Sequence, residues 1–159
     1  MTKHWIIRFR SLRAGTVYTV SIYDEDYTGL QPVELRPAAQ PFTTDEDDSD
    51  DMFAPIRTQT GYLNIVDDGY DLAGNPFNWK EFLPATDTSR PVVLSHMENG
   101  AEVTDWMGFL QAQNFSGTLY GGTQERQFPI HCALSATQGQ DVDVAHQQIE
   151  NFAYLIKVP

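Results

Sequence analysis

Alternation with a period of two runs through most of this chain and constrains its fold more than any other feature. Trp5, Ile7 and Phe9 fall on one side of an extended segment, with His4, Arg8 and Arg10 on the other and Ile6 as the apolar exception. Tyr18, Val20 and Ile22 alternate with Thr19, Ser21 and Tyr23; near the far end Phe128, Ile130, Cys132 and Leu134 alternate with Gln127, Pro129, His131 and Ser135. Successive side chains of a strand point to opposite faces, so each run reads as a half-buried strand. Residues 61–66, 90–96 and 103–111 are further strand candidates.

Turn chemistry separates these runs. Residues 10–15 read as a hairpin closed by Gly15, Asp67-Asp68-Gly69 ends one strand, and Asn99-Gly100 between two apolar runs is a strong hairpin signal. Gly117 and Gly121-Gly122 punctuate the approach to the last strand. Seven or eight strands so arranged predict a mainly β fold, an antiparallel barrel or sandwich, over any βαβ repeat. Two segments read as helix. One is short, with Asn75 as cap, Pro76 at its first position and Pro84 as its stop. The other covers about 141–157, where Val142, Ala145, Ile149, Phe152 and Ile156 recur at helical spacing between a capping Asp141 and Lys157. With 159 residues, 41% of them apolar, and no Pro- or Gly-rich linker, residues 1–159 are expected to form a single β-rich domain.

Charge is the second constraint, and its distribution matters more than its total of −12. Residues 1–23 carry Lys3, Arg8, Arg10 and Arg13 and no acid, whereas residues 24–71 carry thirteen acids against Arg36 and Arg57. Within that block Asp45, Glu46, Asp47, Asp48, Asp50 and Asp51 occupy six of seven consecutive positions, in what reads as an acidic loop at 45–54. The net balance argues against nucleic acid and against anionic membrane as partners, since both require Lys and Arg to neutralise phosphate. No stretch approaches the roughly 20 apolar residues of a membrane-spanning helix, and Arg8 and Arg10 interrupt any signal-peptide core at the N-terminus. A lone Cys132 allows neither an intrachain disulfide nor a cysteine-based zinc cluster and fits a reducing compartment.

Motifs that would carry chemistry fail at their diagnostic positions. An EF-hand loop begun at Asp45 meets Asp50 where glycine is needed and Ile56 where a bidentate glutamate is needed. His131 and Cys132 are adjacent, so a strand points them to opposite faces and no dyad forms. Carboxylate pairs such as Asp67/Asp71 or Glu102/Asp105 are inevitable among 22 acids. His4, His96, His131 and His146 are spaced too widely to suggest a metal site. Trp5, Trp79 and Trp106 could form a sugar-stacking platform, though aromatics on alternating strands more commonly fill a core. The expectation is a chain that is not an enzyme and carries no cofactor or metal.

A particular order of motifs adds to this reading. Ile22-Tyr23-Asp24 is followed by Gly29, Pro32-Val33-Glu34-Leu35 and Ala38-Ala39-Gln40-Pro41-Phe42, then by the acidic run and the stretch from Phe53-Ala54-Pro55-Ile56-Arg57 to Val66. Trp79-Lys80-Glu81-Phe82-Leu83-Pro84, Arg90-Pro91-Val92-Val93-Leu94, Trp106-Met107-Gly108-Phe109-Leu110-Gln111 and Arg126-Gln127-Phe128-Pro129-Ile130 complete the series. Over roughly residues 18–140 this order resembles the N-terminal β-domain of tail-tip or baseplate-hub-like structural proteins of phages and prophages of Bacteroidetes. The resemblance implies a β-barrel core, assembly with copies of itself and with neighbouring tail proteins, and no catalytic residues. It also implies residence in the bacterial cytoplasm before assembly and in the virion tail afterwards. Members of that family are usually longer, so a short variant and an N-terminal piece of a longer protein both remain open. The charge pattern suggests an interface in which Arg8 and Arg10 meet the acids at 45–51 of a neighbour, with Arg57 compensating the loop or reaching another subunit. A carbohydrate-binding β-domain using Trp79 or Trp106 is the alternative function.

Overall fold

The computed structural model describes residues 2–12, 14–46, 59–111 and 122–133. Eight strands carry almost all of the regular structure: β1 (Thr2–Arg10), β2 (Val17–Asp24), β3 (Val33–Leu35), β4 (Pro37–Glu46), β5 (Gln59–Asp67), β6 (Pro91–Glu98), β7 (Ala101–Leu110) and β8 (Gln124–Cys132). They form one sheet in the order β3-β1-β2-β6-β7-β8-β5-β4. Every neighbouring pair is antiparallel except β1–β3, which is parallel, so the sheet is mixed and not wholly antiparallel as expected. It is also open. No ladder joins the edge strands β3 and β4 among the described residues, so of the expected barrel or sandwich the hydrogen bonding shows one open sheet and no closed barrel.

The two edge strands are nevertheless consecutive in the chain, separated by Arg36 alone. The carbonyl of Arg36 accepts the Val66 N–H at 3.0 Å, tying this crossing point to β5. Chain continuity therefore draws the sheet's two margins toward one seam without pairing them.

Period-two patterning works as expected on the core-facing side of the sheet. Ile7, Val20, Ile22, Leu63, Val92 and Ile130 are fully buried in one core cluster fed by most of the strands. Ile6, apolar on the polar side of β1, is buried as well. A register shift between Lys3 and Trp5 lets β1 depart from strict alternation. The Asn99-Gly100 turn has φ of +50° and +85° at its two central residues, the left-handed pair that a two-residue hairpin requires.

The internal helix is shorter than its sequence signals suggest. It is a single 3₁₀ turn, Trp79–Phe82, capped by Asn78, whose side chain accepts the Lys80 N–H at 3.2 Å. Asn75 is occupied elsewhere: its backbone N–H and side-chain amide both donate to Asp71, at 2.7 and 2.9 Å, and Pro76 forms a β-bridge with Tyr70. The turn serves the core through Phe82, which packs on Trp5 and Phe128 with ring centroids 5.2 and 4.6 Å apart. The helix expected at about 141–157 lies outside the described residues.

Candidate functional site

Strand directions settle where the segregated charges stand. β1 and β4 run the same way across the sheet, so Arg10 and the Asp45-Glu46 pair finish at the same end. Asp45 and Glu46 are the last residues of β4, paired with Thr60 and Gln59, so the acidic run begins within the sheet and not in a loop. Arg10 is exposed. Arg8 has a partner on its own chain: its guanidinium donates to Glu34 at 3.0 Å, across the β1–β3 pairing. Asp47, Asp48, Asp50, Asp51 and Arg57 lie outside the described residues.

The face of β5–β8 opposite the core cluster carries apolar groups that sequence reading did not single out as a site. Tyr62 on β5 is 41% exposed and Met107 on β7 is 53% exposed. Tyr62 pairs with Pro129, and Met107 pairs with Val93, while Phe109 lies between them beside Pro91 and His131. Pro129, Val93 and Phe109 are half-buried, so the patch runs diagonally over four strands. A solvated sheet face would carry polar residues at these positions.

Polar chemistry concentrates at the opposite end from Arg10. Asp67 closes β5 and Arg126 opens the inward-facing set of β8, and both take phases that belong to the core. They form a buried ion pair through Arg126 Nε. The Arg126 guanidinium also stacks on the Trp79 indole, 4.3 Å from its centroid. Asp68 is paired with Arg36. The carboxylates of Asp67 and Asp68 each accept a backbone N–H two residues on, from Gly69 at 3.0 Å and Tyr70 at 3.2 Å, which fixes their orientation. Asp67, Asp68, Trp79 and Arg126, together with Phe77 and Thr123, line a cleft of about 420 Å³.

A second cleft of about 400 Å³ lies on the other side of Phe77, between His4, Asp71, Asn78 and Glu81. His4 Nδ1 donates to Asp24 at 3.1 Å, and Asp24 also accepts from Arg90 at 2.7 Å, whose guanidinium sits 4.6 Å from the Trp5 ring centroid. Burial lowers the pKa of His4 and outweighs the opposing pull of the Asp24 carboxylate. For Asp24 burial acts upward, but the hydrogen bonds from His4, the Asp26 N–H and Arg90 prevail and hold it below the ordinary value. Asp71 is likewise lowered, chiefly by the Asn75 side chain, against burial. A neutral His4 held through Nδ1 presents Nε2 as an acceptor.

Of the three tryptophans, Trp5 is 2% and Trp106 is 9% exposed, so both are core, although an edge of Trp5 reaches the lining of the second cleft; Trp79 is half-buried and lines the first. The Asp67–Arg126 pair is absent from the sequence-level candidates. One signal pointed to it: Arg126 shares the inward phase of Phe128, Ile130 and Cys132, where a charge demands a buried counter-charge. Among the described residues no three His, Cys, Asp or Glu side chains are grouped to hold a metal ion, and no helix is long and apolar enough to cross a membrane.

Comparison with known proteins found no matching family model, no matching curated protein and no matching solved structure.

Proposed function

We propose that the chain is a non-enzymatic structural component of a phage or prophage tail tip or baseplate, acting through protein–protein assembly with copies of itself and with neighbouring tail proteins. The choice of particle is supported by the resemblance in the order of motifs. The observation that carries an assembly role is the apolar diagonal on the sheet face opposite the core, from Tyr62 through Phe109 to Met107. Surface of that kind is retained where another subunit covers it. The approach of the two sheet margins at Arg36 supports the barrel-like core that the resemblance implies.

The test is sedimentation velocity of the full chain, alone and mixed with the products of its flanking genes. Association is expected, and Tyr62→Glu and Met107→Glu should each weaken it while leaving the unfolding transition in place. A chain that stays monomeric with every such product, or whose association ignores both substitutions, would overturn the reading. Flanking genes for polysaccharide utilisation instead of tail components would overturn the phage assignment.

A further inference from the structure

We propose that the cleft between Trp79 and Arg126 is a binding site for a neutral saccharide. The site stands apart from the assembly face and does not rest on the assembly reading. Three properties of its walls select the ligand class. Its charged lining groups are all paired: Arg126 with Asp67, and Asp68 with Arg36 from outside the lining, so none of them stands without a counter-charge to attract an ion. An anion entering it would face two carboxylates, and a cation would have to displace an existing guanidinium partner.

The paired carboxylates are also hydrogen-bond acceptors fixed in orientation. An ionised carboxylate offers about four lone-pair positions, and each of these is held in place by one backbone N–H and one arginine. Thr123, exposed on the cleft rim, adds a hydroxyl. Such fixed acceptors suit a ligand rich in neutral hydroxyl donors. Aromatic surface is the third property. Trp79 is half-buried, braced by the Arg126 guanidinium 4.3 Å from its ring centre, and Phe77 stands across the same cleft. A pyranose presents hydroxyls at its edge and a C–H face that packs on an indole, and it matches all three properties together. The volume of about 420 Å³ falls in the usual range for a small-ligand cleft.

The full chain should be applied to an array of neutral and acidic oligosaccharides, and the best neutral ligand measured by calorimetry. Binding with a Kd of about 1 mM or tighter is expected, and Trp79→Ala should weaken it by about tenfold or more. Because Trp79 also braces Arg126, Thr123→Phe provides a second variant that fills the cleft from an exposed position. It should abolish binding with the urea midpoint and the sedimentation profile unchanged. Failure to bind any neutral saccharide, binding of acidic glycans only, or affinity that survives both substitutions would overturn the proposal. None of those outcomes bears on assembly, which is read from sedimentation alone.

Discussion

A single charged pair decides much of how the cleft end of the sheet is held. Asp67 and Arg126 are both buried, and each removes the need to hydrate the other. Removing one partner strands the other, so Arg126→Ala is expected to cost about 3–5 kcal/mol in urea unfolding. The double substitution Asp67→Leu with Arg126→Met should recover much of that loss, because it leaves no buried charge behind. Two histidines set the response to acid. Burial lowers the pKa of both His4 and His131 from 6.5. The unfolded chain therefore takes up protons that the folded chain refuses as pH falls through about 6.5. Stability is full above that value and declines below it, by at most about 1.4 kcal/mol per pH unit for each histidine. Asp24 adds a loss of the same sign at lower pH, as it protonates below its ordinary 3.8. Urea midpoints at about pH 7.5 and about pH 5.5 should differ accordingly, and His131→Gln should shrink the difference. Inward-phase residues such as Arg126 were legible in the sequence as anomalies. Their partners were not, because Asp67 and Arg126 lie 59 positions apart and only the β5–β8 pairing brings them together.

At the scale of elements, alternation located β1, β2, β5, β6, β7 and β8, because burial on one face of a sheet imposes it directly, but it did not single out β3 or β4. The short helix was misread for a physical reason. Asn75 and Pro76 carry good start signals, but Asp71 binds Asn75 and Tyr70 bridges Pro76, so the start passes to Asn78. Replacing the true cap, Asn78→Ala, should cost about 1 kcal/mol, whereas Pro76→Ala should have little effect on the turn. Circular dichroism and urea unfolding of the two variants separate these expectations. β7 and β8 meet where Gly108 allows it: a Cβ there would overlap the carbonyl oxygen of His131 and the Trp106 ring. Gly108→Ala is expected to destabilise by about 1–3 kcal/mol, the usual cost of overpacking, although the residue lies in an otherwise ordinary strand. Nothing in a one-dimensional pattern distinguishes such a glycine from a weak strand position.

For the whole molecule, topology revises the meaning of the charge pattern. Sequence separates a basic start from an acidic middle, which invites a head-to-tail interface. The sheet instead brings Arg10 and Asp45 to one end. Contacts between these groups on two copies therefore join like ends, and like-end contacts close on themselves as dimers and do not propagate as filaments. Any association driven by them should weaken as salt rises from about 0.05 M to about 0.5 M, since exposed charges are screened within a Debye length. Sedimentation at the two salt concentrations measures this, and an unchanged profile would remove Arg10 and Asp45 from the interface.

The strand order also carries a consequence for how the chain comes together in time. β1, β2 and β3 form one flank of the sheet and β4 and β5 the other, and these are the first strands to leave a ribosome. The middle of the sheet, β6, β7 and β8, is made last and must slot between flanks that already exist, zipping β6 onto β2 and β8 onto β5. Until β8 (Gln124–Cys132) has been synthesised, β5 and β7 keep open inner edges and the two flanks are linked only through the chain at Arg36. Late, long-range closure of that kind is slow and leaves unpaired edges exposed, so production of this protein depends on how well those two flanks are shielded while they wait.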